Sequence, residues 1–306
     1  MTIEEMIALL SDPGVLGPSG VNVPARLSLE FNHVTEDSRK ACPGTLSFAI
    51  RGAAHDGHDF ATAAKRNGAV AIAGEREGLN TFEDLPYIRV NHARRALGVL
   101  AHYLAGDPST KMRVIGVTGT NGKSSTVAII AHILHQAGQR CATIGTLGYT
   151  IDEITREATH TTPFGETLAQ LFADAEARAC SHVVMEASSH AIAQERIAGI
   201  RFQGAVFTNL TQDHLDYHPT FEDYRNAKTK LFSIVPASGF GVVNIDDPAA
   251  NAFIEASRGR VYRYGRSGDV RAKNVTISAT GTSFRLETPW GSRDLHSRLT
   301  GEHNVA

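Results

Sequence analysis

Residues 114–125 read Val-Ile-Gly-Val-Thr-Gly-Thr-Asn-Gly-Lys-Ser-Ser, an apolar run followed by glycines and then Lys-Ser. That order suits a phosphate chain. Glycines let backbone N–H groups approach phosphate oxygens, a helix beginning at Lys123 adds its dipole, Lys123 supplies a mobile cation, and the Ser124 hydroxyl can ligate Mg²⁺. The usual GxxxxGK[ST] pattern requires glycine where this chain has Val117; Gly116 stands one residue further back, so the loop is a longer variant. A carboxylate for the same site is Glu186, which follows the apolar run Val183-Val184-Met185. At the C-terminal end of a buried strand it would lie beside the loop, where ligands bind in open α/β sheets. Arg196 suits a carboxylate partner, because its guanidinium can make two parallel hydrogen bonds. His214 and His218 have the spacing of two zinc ligands on a helix, but no Glu follows His214 and no third ligand is evident, so zinc is not expected. Lys228 and Lys230 are equivalent helix lysines as far as spacing goes.

These residues need a frame, and the hydrophobic pattern supplies one. Thr2 to Leu10 has helical spacing and stops at Asp12-Pro13-Gly14. Between Val34 and Val90, apolar runs at 45–49, 69–73 and 87–90 alternate with a helical stretch at 60–66, the pattern of a small α/β unit. A helix over 93–105 ends at Gly106-Asp107-Pro108-Ser109, the best candidate for a domain boundary. Beyond it come a strand at 113–117, the glycine loop, a helix over 123–137, and strands near 183–185, 205–207 and 241–243. Strands alternating with helices predict a mainly parallel sheet covered on both faces. From Ala272 to Leu295 the period becomes alternation around Ala279-Thr280-Gly281-Thr282, which predicts a late β-hairpin. The fold class is therefore α/β. A small N-terminal domain (1–107) precedes a central phosphate-loop domain (108–306).

The loop variant GxTGTNGKS resembles the ATP loop of the Mur ligase family, and several later segments are similar to the MurE type within it. The resemblance covers nearly the whole chain. It implies that Gly119, Thr120, Asn121, Gly122, Lys123, Ser124 and Ser125 hold ATP. Thr35-Glu36-Asp37-Ser38-Arg39 with Asp56-Gly57-His58 resembles the uridine-diphosphate site, to which Ser38 and His55 could contribute hydrogen bonds. His160-Thr161-Thr162-Pro163 resembles the loop that meets the UDP-sugar and the triphosphate. Ser188, Gln194 and Arg196 fall at the spacing of contacts to a muramoyl peptide. The resemblance also makes Glu186 a Mg²⁺ ligand, and places His214 at a second Mg²⁺ together with Lys228 as a carbamate. Asn209 and Asp213 would shape the nucleotide pocket, Asn244 and Asp246 would lie near the adenosine, and His303 and Asn304 would approach the adenine.

With 306 residues, 42% hydrophobic and 20% charged, and with 30 basic against 32 acidic residues, the chain has room for two domains. A net charge of -2 gives no basic excess for nucleic acid or an anionic membrane, and neither partner is expected. Cys42, Cys141 and Cys180 are too few and too scattered for a disulfide framework or a CxxC zinc site. A cytoplasmic monomer is expected, since the acidic N-terminus is unlike a signal peptide and no segment approaches a membrane span.

The resemblance implies an ATP-dependent ligase, acting through an acyl phosphate with two magnesium ions. It would add meso-diaminopimelate or L-lysine to UDP-MurNAc-L-Ala-D-Glu in peptidoglycan precursor synthesis. It further implies a C-terminal amino-acid-binding domain beyond this sequence, so that these 306 residues are expected to bind substrates with little ligation. The competing readings are a sister ligase of the folylpolyglutamate or cyanophycin type and a module that binds nucleotide and UDP-sugar without catalysis. A switch-type GTPase is disfavoured because no NKxD-like signature is evident.

Overall fold

A computed structural model describes residues 1–17, 20–23, 28–52, 55–214 and 216–301. The chain divides into two compact units. The first comprises Met1–Met112, Thr162–Ser181 and Ala193–Ile200; the second comprises Arg113–Thr161, His182–Ile192 and Arg201–Ala306. The first unit thus recruits two stretches from later in the chain, beyond its N-terminal segment.

The first unit is built on a six-stranded sheet: β1 (Val21–Asn22), β2 (His33–Thr35), β3 (Thr45–Ala49), β4 (Ala69–Gly74), β5 (Thr81–Phe82) and β6 (Leu85–Val90). The strand order is β1-β6-β4-β3-β2, with β5 paired to β6. The β2/β3, β3/β4 and β4/β6 pairs are parallel. Helix α1 (Ile3–Leu10) begins at a capping box. The Thr2 hydroxyl accepts from the Glu5 N–H and the Glu5 carboxylate from the Thr2 N–H, which satisfies two donors that would otherwise lack partners. Its buried face, Ile3, Met6 and Leu10, recurs at helical spacing and joins Phe31, Leu46, Phe48, Ile88, Leu97 and Leu100 in the main core. Each such fully buried side chain contributes about 1.5–3 kcal/mol. Helices α2 (Ala61–Arg66) and α3 (Ala93–Leu104) match the predicted stretches, and the later α5 (Gly165–Ala177) packs on α3. Their contact explains Gly165, where a Cβ would lie 3.0 Å from Gly98 Cα; a Cβ at Gly98 would instead press the Ala198 carbonyl at 2.7 Å.

The second unit carries an eight-stranded sheet of β7 (Arg113–Thr118), β8 (Cys141–Gly145), β9 (Gly148–Ile151), β10 (Ile154–Arg156), β11 (His182–Glu186), β12 (Gly204–Phe207), β13 (Phe240–Asn244) and β14 (Arg260–Tyr264). Their order is β10-β9-β8-β11-β7-β12-β13-β14. The six strands from β8 to β14 along this order are parallel; β9 and β10 extend one edge as an antiparallel hairpin. Every residue of β11 and β12 is buried, as a parallel sheet covered on both faces demands. The remaining helices are α4 (Lys123–Gln136), α6 (Ser189–Ala193), α7 (Phe221–Ile234) and α8 (Ala250–Ala256). The chain passes from β7 to one side of the sheet and returns through β12 to the other. The topological switch point, where such sheets bind ligands, therefore falls at β7.

The late hairpin is present and larger than predicted. Strands β15 (Arg271–Ser278) and β16 (Gly281–Thr288) turn through Ala279-Thr280, and β17 (Gly291–Ser297) adds a third antiparallel strand. β17 reads Gly-Ser-Arg-Asp-Leu-His-Ser and is exposed over nearly its full length. A strand held by backbone pairing alone has no burial to impose an alternating pattern, which is why its residues do not announce it. Among the described residues no helix is long and apolar enough to cross a membrane.

Candidate functional site

The glycine loop joins β7 to α4 at the switch point. Gly116 is part of β7, not of the loop; a Cβ there would meet Phe202 at 2.9 Å and Leu231 at 3.0 Å, so its role is packing. The loop proper runs from Gly119 to Gly122, both with positive φ (147° and 82°). A Cβ at Gly119 would overlap the Thr208 hydroxyl, so close approach as well as conformation demands glycine there.

The loop is tied down on all sides. The Thr120 N–H donates to the Asn209 carbonyl (2.8 Å) and the Asn121 N–H to Asn209 Oδ1 (3.0 Å), while Asn209 Nδ2 donates to the Asn121 carbonyl (3.1 Å). Thr208 Oγ1 donates to the Asn121 carbonyl (2.7 Å), and Asn244 Nδ2 donates to the Thr208 carbonyl (2.8 Å). Lys123 Nζ donates back to the carbonyls of Gly119 (2.9 Å) and Thr120 (2.7 Å). Ser124 Oγ donates to Glu186 Oε1 (2.8 Å) on the end of β11, and the same oxygen accepts the Thr146 N–H (2.8 Å). Glu186 is 1% exposed. Ser125 is exposed on the first turn of α4.

Burial separates Lys228 from Lys230. Lys228 lies on the buried face of α7 at 1% exposure, with Nζ donating to the Gly119 carbonyl (2.8 Å) and resting 4.5 Å from the centre of the Tyr224 ring. The two lysines therefore share one acceptor. Burial, helped by the Lys123 charge, pushes the Lys228 amine down to about 7, and burial likewise lowers Lys123. Lys230 is exposed. Next to Lys228 stands a cluster of rings: His190 packs edge-on to His214 (centroids 4.7 Å apart), Tyr217 is 4.2 Å from His190, and His218 is 5.3 Å from Tyr224. His214 is exposed, has φ of 54°, and pairs with Asp213 (3.5 Å). Among the described residues no group of three or more His, Cys, Asp or Glu side chains could hold a metal ion.

Other predicted residues lie in different settings. Asp246 is turned to the backbone N–H of Arg266 (3.0 and 3.1 Å), where it ties the end of β13 to the end of β14. Ser188 Oγ accepts the Ala191 N–H (3.2 Å) at the start of α6. His160 is exposed while its backbone brackets the Tyr149 hydroxyl, and Thr161 Oγ1 is 3.0 Å from Thr146 Oγ1. His303 and Asn304 lie outside the described residues.

In the first unit, Ser38 opens a 3-10 turn (Ser38–Lys40) after β2, and His55 lies in the segment after β3. The Ser38 carbonyl accepts from Asn67 (2.8 Å), and His55 lies edge-on to Phe60. Of the neighbouring Asp56 and His58, His58 is buried and Asp56 half-buried. Asp56 Oδ1 meets His58 Nδ1 at 2.6 Å, His58 Nε2 meets the Tyr87 hydroxyl at 2.9 Å, and Arg76 binds Asp56 Oδ2 at 3.0 Å. The hydrogen bonds to His58 hold the Asp56 carboxyl well below the usual carboxylate range. Arg196 lies over the Phe164 ring at 4.2 Å and donates to the Thr162 carbonyl (3.0 Å). Its Nε and Nη2 both donate to Gln194 Oε1, so the fork expected to grip a carboxylate engages a neighbouring amide.

Thr146, Thr208 and Tyr224 are residues of this site that sequence reasoning missed. A signal existed only for Tyr224, which is four residues before Lys228 and hence on the same helical face.

Fold and site together define a nucleotide-loop α/β protein whose buried carboxylate and lysine face the loop. The profile described as the Mur ligase middle domain matches residues 117–306, and that described as the Mur ligase family catalytic domain matches residues 30–104. The chain belongs to the Mur ligase family. It is 41% identical over 295 residues to a UDP-N-acetylmuramoyl-L-alanyl-D-glutamate–2,6-diaminopimelate ligase of Bacillus licheniformis, a match covering 93% of this chain and 60% of that protein. The ligase of the same description from Geobacillus kaustophilus is 39% identical over 310 residues, covering 98% and 62%. A solved structure of a ligase so described superposes with a TM-score of 0.84 at 28% identity, covering 100% of this chain and 61% of the other. The chain thus spans about 60% of the length of the curated relatives it matches.

Proposed function

We propose that the protein is an ATP-dependent ligase that adds diaminopimelate to UDP-MurNAc-L-Ala-D-Glu in the cytoplasm. Residues 1–107 would serve the UDP-sugar and the central unit the nucleotide. The observation that carries this reading is the convergence of Lys123, Ser124, Glu186 and Lys228 on one glycine loop at the sheet's switch point. The names of the relatives favour diaminopimelate over lysine.

The donors fit the groups the reaction needs. Ser124 Oγ and Glu186 Oε1 are oxygen donors 2.8 Å apart. So sparse a set suits Mg²⁺, which is commonly held by one or two protein carboxylates, water and substrate phosphate. Lys228 as a carbamate, with His214, would serve a second ion. Bound magnesium would neutralise charge on the phosphate oxygens as the phosphoryl group moves.

The chain's own residues would act as follows. The loop N–H groups and Lys123 orient the triphosphate, and Lys123 follows charge onto the transferring phosphoryl oxygens. The side-chain carboxylate of D-Glu attacks the γ-phosphorus, breaking its bond to the bridging oxygen and giving an acyl phosphate and ADP. The amine of diaminopimelate then attacks the acyl carbon; phosphate leaves and the ammonium proton is lost. At neutral pH a large fraction of Lys228 is unprotonated, the form that adds CO₂.

These 306 residues are expected to bind ATP and UDP-MurNAc-L-Ala-D-Glu with little ligation, and the ADP and phosphate they do release should appear only when ATP, UDP-MurNAc-L-Ala-D-Glu and diaminopimelate are all supplied, with product mass higher by one diaminopimelate residue. ATP turnover indifferent to both other substrates would refute the reading, and equal use of L-lysine would refute its diaminopimelate preference.

A further inference from the structure

The hydroxyl of Thr120 meets three groups. It donates to the Thr211 carbonyl (3.1 Å), accepts the Thr211 N–H (3.0 Å), and lies 3.1 Å from the Tyr224 hydroxyl. A threonine hydroxyl has one hydrogen and two lone pairs. With its hydrogen at Thr211, the remaining lone pair can only accept, so the phenol of Tyr224 is the donor. The Thr120 carbonyl is one of the two that seat the Lys123 ammonium, at 2.7 Å, the other being that of Gly119. Tyr224 itself is 0% exposed, and the face of its ring carries Lys228 Nζ. One side chain on α7 therefore touches both the loop that aims Lys123 and the second lysine on the Gly119 carbonyl.

We propose that Tyr224 is a positioning residue of the nucleotide site, its O–H holding Thr120 in the orientation that directs Lys123 at the phosphates. This rests on the reading of the glycine loop as the nucleotide site. The ring of Tyr224 supplies packing that phenylalanine would keep. The hydroxyl supplies the loop geometry that phenylalanine would lose. Loss of the bond frees Thr120 to follow Thr211 alone, so Lys123 spends less time in its productive orientation and nucleotide affinity falls.

The test is ADP binding by calorimetry to the wild type and to Y224F, T120V, T120S and Y224F/T120V, each checked for folding by circular dichroism. Y224F and T120V are each expected to weaken ADP about tenfold, the equivalent of roughly 1.4 kcal/mol. The double variant should lose no more than either single one, whereas T120S, which keeps the hydroxyl, should stay near the wild type. A purely structural role for Tyr224 predicts neither the shared loss nor the rescue by serine. Wild-type affinity in Y224F, or losses that add in the double variant, would overturn the proposal. Should Y224F fail to fold, equal affinities of T120V and T120S would overturn it just as surely. A wild type that binds no ADP would remove the nucleotide-site reading and the proposal with it, an outcome distinct from a wild type that binds while Y224F is unchanged.

Discussion

At the C-terminal edge of β7 and β11, the groups proposed to do chemistry are themselves withdrawn from water: Glu186 and Lys228 are each 1% exposed, and both hydrogen-bond the loop or its neighbours. At the C-terminal edge of β2 and β3, Ser38 is half-buried and His55 exposed, while buried His58 and Tyr87 are linked to half-buried Asp56 in a polar network. Burying a charge is costly unless it is paired, so the first arrangement concentrates unfavourable desolvation on the groups proposed to act. The second assigns the buried polar atoms to bracing and leaves the groups proposed to meet a ligand in water. Chemistry and stability should therefore separate differently under mutation at the two edges.

The largest expected effect is at the nucleotide loop. Lys123→Met should lower ATP cleavage about 10²–10³-fold, as loss of a group aimed at developing charge generally does. Its urea midpoint should not fall, because burial already disfavours the ammonium. A rate loss below tenfold, read by phosphate release, would break the comparison.

His58→Ala tests the other edge. It leaves the Tyr87 hydroxyl and Asp56 without their histidine partner and should cost about 2–3 kcal/mol in urea denaturation. ADP affinity should be unaltered by calorimetry; a parallel loss of affinity would mean the two edges are not energetically distinct.

A smaller effect concerns pH. The Lys228 amine sits near 7 in the folded chain against an ordinary 10.5, so between these values the unfolded chain binds more protons than the folded one. Stability therefore rises with pH across that window. The penalty of holding the ammonium is fully present below pH 7 and absent above 10.5. The urea midpoint of the wild type should climb relative to K228M from pH 7 to pH 10, and identical pH profiles would show that Lys228 is not desolvated. Smallest of all, Ser38→Ala should weaken binding of the UDP-muramoyl dipeptide about fivefold, the worth of one neutral hydrogen bond, and leave ADP binding alone.

Much of this was legible in the residues. The run from Val114 to Ser125 identifies strand, loop and helix because each residue type there has a local physical reason, and the buried strands β11 and β12 appear as unbroken apolar runs. Spacing also put Glu186 at a strand end. The role of Gly116 was not legible, since a glycine needed to clear Phe202 and Leu231 looks the same as one needed to admit a phosphate. Strand β17 was silent because it buries almost nothing, and Arg196 gave no sign that Gln194 would take its fork.

By itself, then, the sequence determined where a phosphate loop begins, which runs are strands, and that an α/β fold results. These depend on backbone conformation and hydrophobic period, which neighbours a few residues apart specify. Tertiary structure alone decided which of two helix lysines is buried, that Lys228 and Lys123 share the Gly119 carbonyl, and that Tyr224 reaches Thr120 across about a hundred residues of chain. Such facts depend on desolvation and on the hydrogen bonds of distant segments. Both are properties of the packed molecule and cannot be read from any short stretch of it.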